Sequence, residues 1–348
     1  MSNQSTDQIP ENRLNKQPWS HPRNIGLILM WLITSMSIVY LLVEGVRASD
    51  EYQEVRHLLH AVYVLVLMWF LVDTGPSSRR LPHIEPFTFP RWKYGGYIPV
   101  FCILLLLLLN AFTDQVVATL PLLLIIASVW ILIAWRKEIR LRTVVLALSV
   151  TIVALLSGLP ILVNGFVGRA VFIVFLAITP LLFIAGCLVY KRTNMGGIQL
   201  AEGNYREALK SFALGCLLFV PLGLINAAEG SPGSGINWVN ELWMPFSLPW
   251  FSGIVEETLD RLLLVGLCYL LLRPAFKEYP IIAVVIAVLF SATTFGLRHG
   301  WTMERFLTTG MLYGLPMAVV FVKRDWEHAV GAHYMVNFIP WTMVFLRA

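Results

Sequence analysis

Residues 250–272 read WFSGIVEETLDRLLLVGLCYLLL, an apolar run with Glu256, Glu257, Asp260 and Arg261 set inside it. A helix needs about 20 residues to cross roughly 30 Å of hydrocarbon, so the run is long enough to span a membrane. A charge at the centre of such a span costs roughly 2.5–3.5 kcal/mol on insertion scales. Four ionisable residues in six positions therefore mark a functional site. Glu257 and Arg261 stand at i and i+4, so they stack on one helix face and pair as structural support. Glu256 points about 100° away from Glu257 and is left for chemistry. Asp260, four residues after Glu256, either tunes that carboxyl as a like charge or faces water near the helix end.

The rest of the chain agrees with a membrane setting. It is 57% hydrophobic and 14% charged, where soluble domains run near a quarter charged. The expected class is an all-α polytopic membrane protein. Apolar runs at 25–46, 57–73, 95–113, 115–135, 143–163, 170–190, 209–228, 247–272, 280–297, 306–322 and 328–346 predict about 11 transmembrane helices. With the N-terminus inside, 19 of the 26 Lys and Arg fall on the inner side and 6 on the outer, and Arg261 lies within a span. That asymmetry predicts an N-in, C-out topology. Because the basic residues lie between spans and not in one patch, nucleic acid is excluded as a partner, and the bilayer is the expected one. Cys102, Cys187, Cys216 and Cys268 all fall in apolar runs, where they read as small core residues and not as a disulfide framework or a CxxC site.

Three regions follow. Residues 1–24 are polar and predict a disordered tail ahead of a retained signal anchor. Residues 25–228 form an N-terminal membrane region of about seven helices, whose spans carry almost no mid-span ionisable residues. Turn-rich loops at 75–90 and 193–206 punctuate it, and Glu229 to Gly235 opens the last region, 229–348. That last region holds Glu256, Glu257, Asp260, Arg261, Arg298, His299, His328 and His333.

Taken singly, its polar residues have plain explanations. His299 at a span end reads as an interface residue, and His333 with Asn337 at i and i+4 as two groups bonded to a neighbouring helix. His328 points to another face from His333 and reads as interfacial. In order, however, Glu256-Glu257-x-x-x-Arg261, Phe295-x-x-x-His299 and His333-x-x-x-Asn337 resemble the three-motif signature of the CPBP family, also called Abi. Its members include type II CAAX prenyl endopeptidases and bacteriocin-processing or immunity proteins. The resemblance covers about residues 245–345 and is silent on the spans before them. It implies a CPBP-type helical core and an intramembrane endopeptidase. In that enzyme Glu256 and His299 activate a water, His333 and Asn337 stabilise the oxyanion, and Glu257 and Arg261 support them. The implied substrate is a membrane-associated or lipidated peptide or protein, and the expected place is the inner membrane of a bacterium.

A desolvated carboxylate suits general-base chemistry, and fixed donors in a low-dielectric cavity suit an oxyanion. Two histidines and a glutamate could instead hold zinc. The chain lacks His-Glu-x-x-His and asparagine is a poor zinc ligand, so the metal-free mechanism is favoured, with no cofactor. Two other functions compete. Intramembrane acids and histidines also make proton relays, but a proton-coupled transporter predicts two related halves, which this sequence does not display. A non-proteolytic scaffold or immunity protein predicts decayed motifs, and all three are intact. One difficulty stands: straight crossings would separate His299 from His333 by much of the membrane. The expectation is that the helices are tilted, short or broken, Gly310, Gly314 and Pro316 favouring a break in 306–322, and that Glu256, His299, His333 and Asn337 converge around one water.

Overall fold

The computed structural model describes residues 22–43, 50–74, 116–164, 169–193, 195–228, 241–276, 279–300 and 302–346. The run at 95–113, the tail up to residue 21, the 75–90 loop, Glu229 to Gly235 and Cys102 lie outside these residues. The described elements are α1 Pro22–Val43, α2 Asp50–Thr74, α3 Val116–Ala134, α4 Leu141–Asn164, α5 Arg169–Thr193, short α6 Gln199–Glu202 and α7 Tyr205–Ala228. They continue with α8 over 243–272, α9 Pro280–Arg298, α10 Met303–Lys323 and α11 Trp326–Phe345. No strand occurs among the described residues.

Stretches within α2, α4, α5, α7, α9 and α10 are long and apolar enough to cross a membrane, six in all. The described residues are thus all-helical, and these six helices among them make the protein membrane-embedded. In α11, Glu327, His328, His333 and Asn337 dilute an otherwise apolar helix. Large side chains such as Leu65, Ile133, Val163 and Leu209 point outward, as lipid contact requires. Cys187 and Cys216 are buried and Cys268 is partly buried, all three free thiols.

The helices that carry the motifs pack at backbone contact. α7 and α11 run side by side in the same direction, since Ser211 meets Asp325, Gly215 meets His328, and Asn226 bonds the Val336 carbonyl. A Cβ added to Gly215 would stand 2.2 Å from the His328 carbonyl oxygen, and one on Gly331 2.1 Å from that of Phe212. In lipid no hydrophobic force gathers helices, so small residues that let backbones touch supply the packing. Gly331→Leu is therefore expected to cost about 1–3 kcal/mol or more, read as a lower thermal midpoint in nanodiscs. An unchanged midpoint would contradict this seam.

α8 and α10 are not regular throughout. Glu257–Val265 of α8 and Phe306–Gly314 of α10 are π-helical, with hydrogen bonds lengthened to i→i+5. The break expected at Gly310, Gly314 or Pro316 does not occur. The helix widens and stays continuous, which keeps its backbone groups bonded inside the membrane. Glycine serves here for close approach. A Cβ on Gly296 of α9 would lie 2.7 Å from the Gly310 Cα, and one on Gly314 3.0 Å from the Phe295 ring. On its other side α8 meets α5, where Gly266 faces Val189 and Gly186 faces Leu262.

The corner between α10 and α11 is tied to the loop before α7. Asp325 caps α11, its Oδ1 accepting from the His328 backbone N–H and lying 2.8 Å from the His328 Nδ1, while its Oδ2 accepts from Ser211 Oγ at 2.8 Å. Trp326 donates its backbone N–H to the Gly197 carbonyl at 2.8 Å, and Glu327 accepts from the Leu200 N–H at 2.8 Å. His328 is 7% exposed, a buried partner of Asp325. Burial pushes the Asp325 carboxyl up, but the bonds from His328 and Ser211 outweigh it and hold the group below its ordinary value. A depressed carboxyl contributes stability that is fully present above its unfolded value and is lost as pH falls through the folded one. On acidification below the ordinary aspartate value of 3.8 the protein should therefore lose stability that Asp325→Asn has already lost. Parallel pH–stability curves for the two proteins would refute it.

His60 of α2 is fully buried and packs edge-to-face on Tyr313 of α10, ring centroids 4.7 Å apart, a contact that joins the two regions.

Candidate functional site

Three helices supply the side chains singled out by sequence. Glu256 is the last residue of α8 before its π-helical stretch, and His299 caps the C-terminal end of α9. Glu256 Oε2 lies 3.7 Å from His299 Nε2, with side chains 25% and 39% exposed. That separation is too long for a direct hydrogen bond. The Oε2 atom itself is buried and has no hydrogen-bond partner among the described residues. His299 Nδ1 lies 2.8 Å from the Phe295 carbonyl, an acceptor only, which puts a ring proton on Nδ1 and, in the neutral ring, the lone pair on Nε2, facing Glu256.

Glu257 does more than the spacing promised. Its Oε2 lies 3.3 Å from Arg261 Nε, the expected i,i+4 pair, with both side chains fully buried. That contact is ionic, its angle too poor for a hydrogen bond. Its Oε1 lies 2.7 Å from His333 Nδ1, so Glu257 also orients an imidazole from α11. Arg261 donates from Nη1 to Ser291 Oγ at 3.1 Å and lies over the Phe295 ring, 4.7 Å from its centroid.

Phe295 is the hub. Its ring centroid is 4.7 Å from that of His299 and 5.8 Å from that of His333. The two imidazoles therefore flank one buried ring, and the wide separation that straight crossings would impose is absent. Asn337, one turn beyond His333, donates from Nδ2 to Ser252 Oγ at 2.8 Å, and Ser252 lies one turn before Glu256. The four residues expected around one water are thus held in three contacts, Glu256 with His299, His333 with Glu257, and Asn337 with Ser252.

Asp260 does not face water. It is fully buried and pairs with Arg298 of α9, while its main-chain oxygen accepts from Ser291 Oγ at 2.8 Å. Composition carries a signal for this partner. Three acids and one arginine leave this span short of positive charge, and Arg298 is the basic residue ending the next helix. Ser252 and Ser291 carry no such signal, because serines in apolar helices commonly bond their own backbone. Counted together, Glu256, Glu257, Asp260, Arg261 and Arg298 sum to one negative charge, which a single proton on an imidazole balances.

Among the described residues, no group of three His, Cys, Asp or Glu side chains is placed to hold a metal ion. Compared with protein-family models, with curated proteins and with solved structures, the chain matches none of them.

Proposed function

We propose that the protein is an intramembrane endopeptidase of the glutamate type, hydrolysing a peptide bond in a membrane-associated or lipidated peptide or protein. The observation that carries this reading is the 3.7 Å gap between a carboxylate oxygen without a hydrogen bond and an imidazole lone pair, at a partly open spot in a buried charged cluster. The contact is longer than a direct hydrogen bond, and this reading assigns one bridging water to it. In the reaction this water attacks the substrate carbonyl, and Glu256 takes its proton as general base while His299 Nε2 accepts its second hydrogen. The carbonyl oxygen becomes an oxyanion. His333, with Nδ1 held by Glu257 and an N–H at Nε2, and the carboxamide of Asn337 donate to it. The tetrahedral species collapses as Glu256 passes the proton to the departing nitrogen, giving a carboxylic acid and an amine. The single proton that balances the cluster is assigned to His333 in this scheme.

The reading includes a membrane domain of CPBP type over 229–348, within a chain of about eleven spans with its N-terminus inside. The three motifs and their order support it. The test is a comparison of membrane proteomes from cells carrying the wild-type protein and Glu256→Gln. One or more uncleaved precursors should accumulate with the variant. Identical proteomes, with a phenotype that Glu256→Gln retains, would favour the non-proteolytic scaffold instead.

A further inference from the structure

We infer that Asp260 and Arg298, which fill unspecified positions of the first two motifs, are positioning residues that hold His299 in register with Glu256. The inference rests on the hydrolytic reading for its kinetic consequence, but its geometric content is independent of it.

His299 occupies the position where α9 ends. Helix ends fray, because the last four carbonyls have no partner within the helix. The bond from the ring to the Phe295 carbonyl joins His299 to its own last turn, and so does nothing to hold that turn against α8. Beyond His299 the chain passes into Gly300, whose φ of 153° is open to glycine and adds no stiffness. Beside the long His299–Glu256 contact itself, an ion pair ties this turn to α8, Arg298 with Asp260. It stands one rung from the reacting pair on both helices. Arg298 is the neighbour of His299, and Asp260 lies four residues after Glu256. The pair is also braced. Asp260 is fully buried, the Arg298 side chain is 8% exposed, and the Asp260 carbonyl is bonded to Ser291, itself bonded to Arg261. A contact so placed transmits any slip of α9 directly to the Glu256–His299 gap, and displacement of about 1 Å can cost roughly 100-fold in rate.

A purely structural pair would offset the charge of Asp260 and leave His299 unchanged once the protein folds. The two roles separate in nanodiscs, comparing wild type with Asp260→Asn, Asp260→Glu and the double variant Asp260→Asn/Arg298→Gln, which leaves no unpaired charge. The first readout needs no substrate. It is the imidazole nitrogen NMR spectrum of protein labelled at histidine, with His299 assigned by its loss in His299→Gln. Wild type should display a single state with the proton on Nδ1. The Asn variant and the double variant should display tautomer averaging or several states, and Asp260→Glu should restore the single one. The second readout is turnover of a precursor accumulated with Glu256→Gln. In the Asn and double variants kcat should fall about 10- to 100-fold with KM within roughly twofold. A wild-type His299 spectrum in whichever of these two variants folds overturns the proposal. A loss of activity that only tracks the folded fraction does the same. Full cleavage by Glu256→Gln would remove the hydrolytic reading, while the spectrum would still decide the positioning role.

Discussion

Glu256→Gln and His299→Ala are each expected to slow peptide-bond hydrolysis by about 10²–10⁴-fold, and the protein carrying both to be no slower than the worse single variant. The expectation follows from one shared water. If Glu256 removes its proton and His299 Nε2 holds its second hydrogen across the 3.7 Å gap, neither group does much without the other. Independent contributions would multiply. Coupled ones do not. Both side chains are partly exposed, and Gln has the shape of Glu, so neither change should lower the thermal midpoint by more than the small amounts typical of exposed positions. Steady-state kinetics on purified protein decides the matter: a double variant slowed by the product of the single effects contradicts a common water.

Arg261→Leu should have the opposite profile, a large loss of stability that precedes any statement about chemistry. Its guanidinium is fully buried, 3.3 Å from Glu257, bonded to Ser291 and stacked on Phe295. Removing it leaves Glu257 with His333 alone and Asp260 with Arg298 alone, in surroundings with no water to take up the charge. Breaking one side of a buried pair costs about 3–5 kcal/mol. Arg261→Lys restores the charge without the planar stack, so it should recover part of that loss and not all. Thermal unfolding in nanodiscs checks both variants. A Leu variant as stable as wild type would mean that Arg261 supports nothing.

The contrast between Glu256 and Glu257 is legible in the sequence alone. Along a helix i,i+4 spacing pairs Glu257 with Arg261, and the intervening 100° turns Glu256 away. The helical runs are legible for a related reason, since the bilayer demands long apolar stretches and α1 through α11, short α6 aside, fall on them. What escapes depends on contacts between helices. That Glu257 also holds His333, 76 residues away, is set by how α11 lies against α8. The π-helical stretches escape too, and they lie against close neighbours, Leu262 of α8 on Gly186 of α5 and Gly310 of α10 on Gly296 of α9. Asp260 and the partner of His328 escape in the same way: Asp260 finds Arg298 on another helix, and His328 finds Asp325 at the start of its own.

The charge arithmetic gives the site its logic. A cluster of three carboxylates and two guanidiniums is tolerable in lipid only if it is nearly neutral, and one proton completes it. A site that must keep one mobile proton is suited to taking a proton from water and passing it to a leaving amine. Placing the cluster around the buried ring of Phe295 lets the supporting charges hold His299 and His333, while the side chains of Glu256 and His299 stay partly exposed.

The most direct measurement is cleavage of an accumulated precursor by purified protein reconstituted in ¹⁸O-enriched water, with mass analysis of both fragments. Hydrolysis at Glu256 predicts one ¹⁸O in the new C-terminal carboxylate of the upstream fragment, and no fragments with Glu256→Gln. Undiminished fragments from Glu256→Gln, or intact precursor after prolonged incubation with wild type, would contradict it.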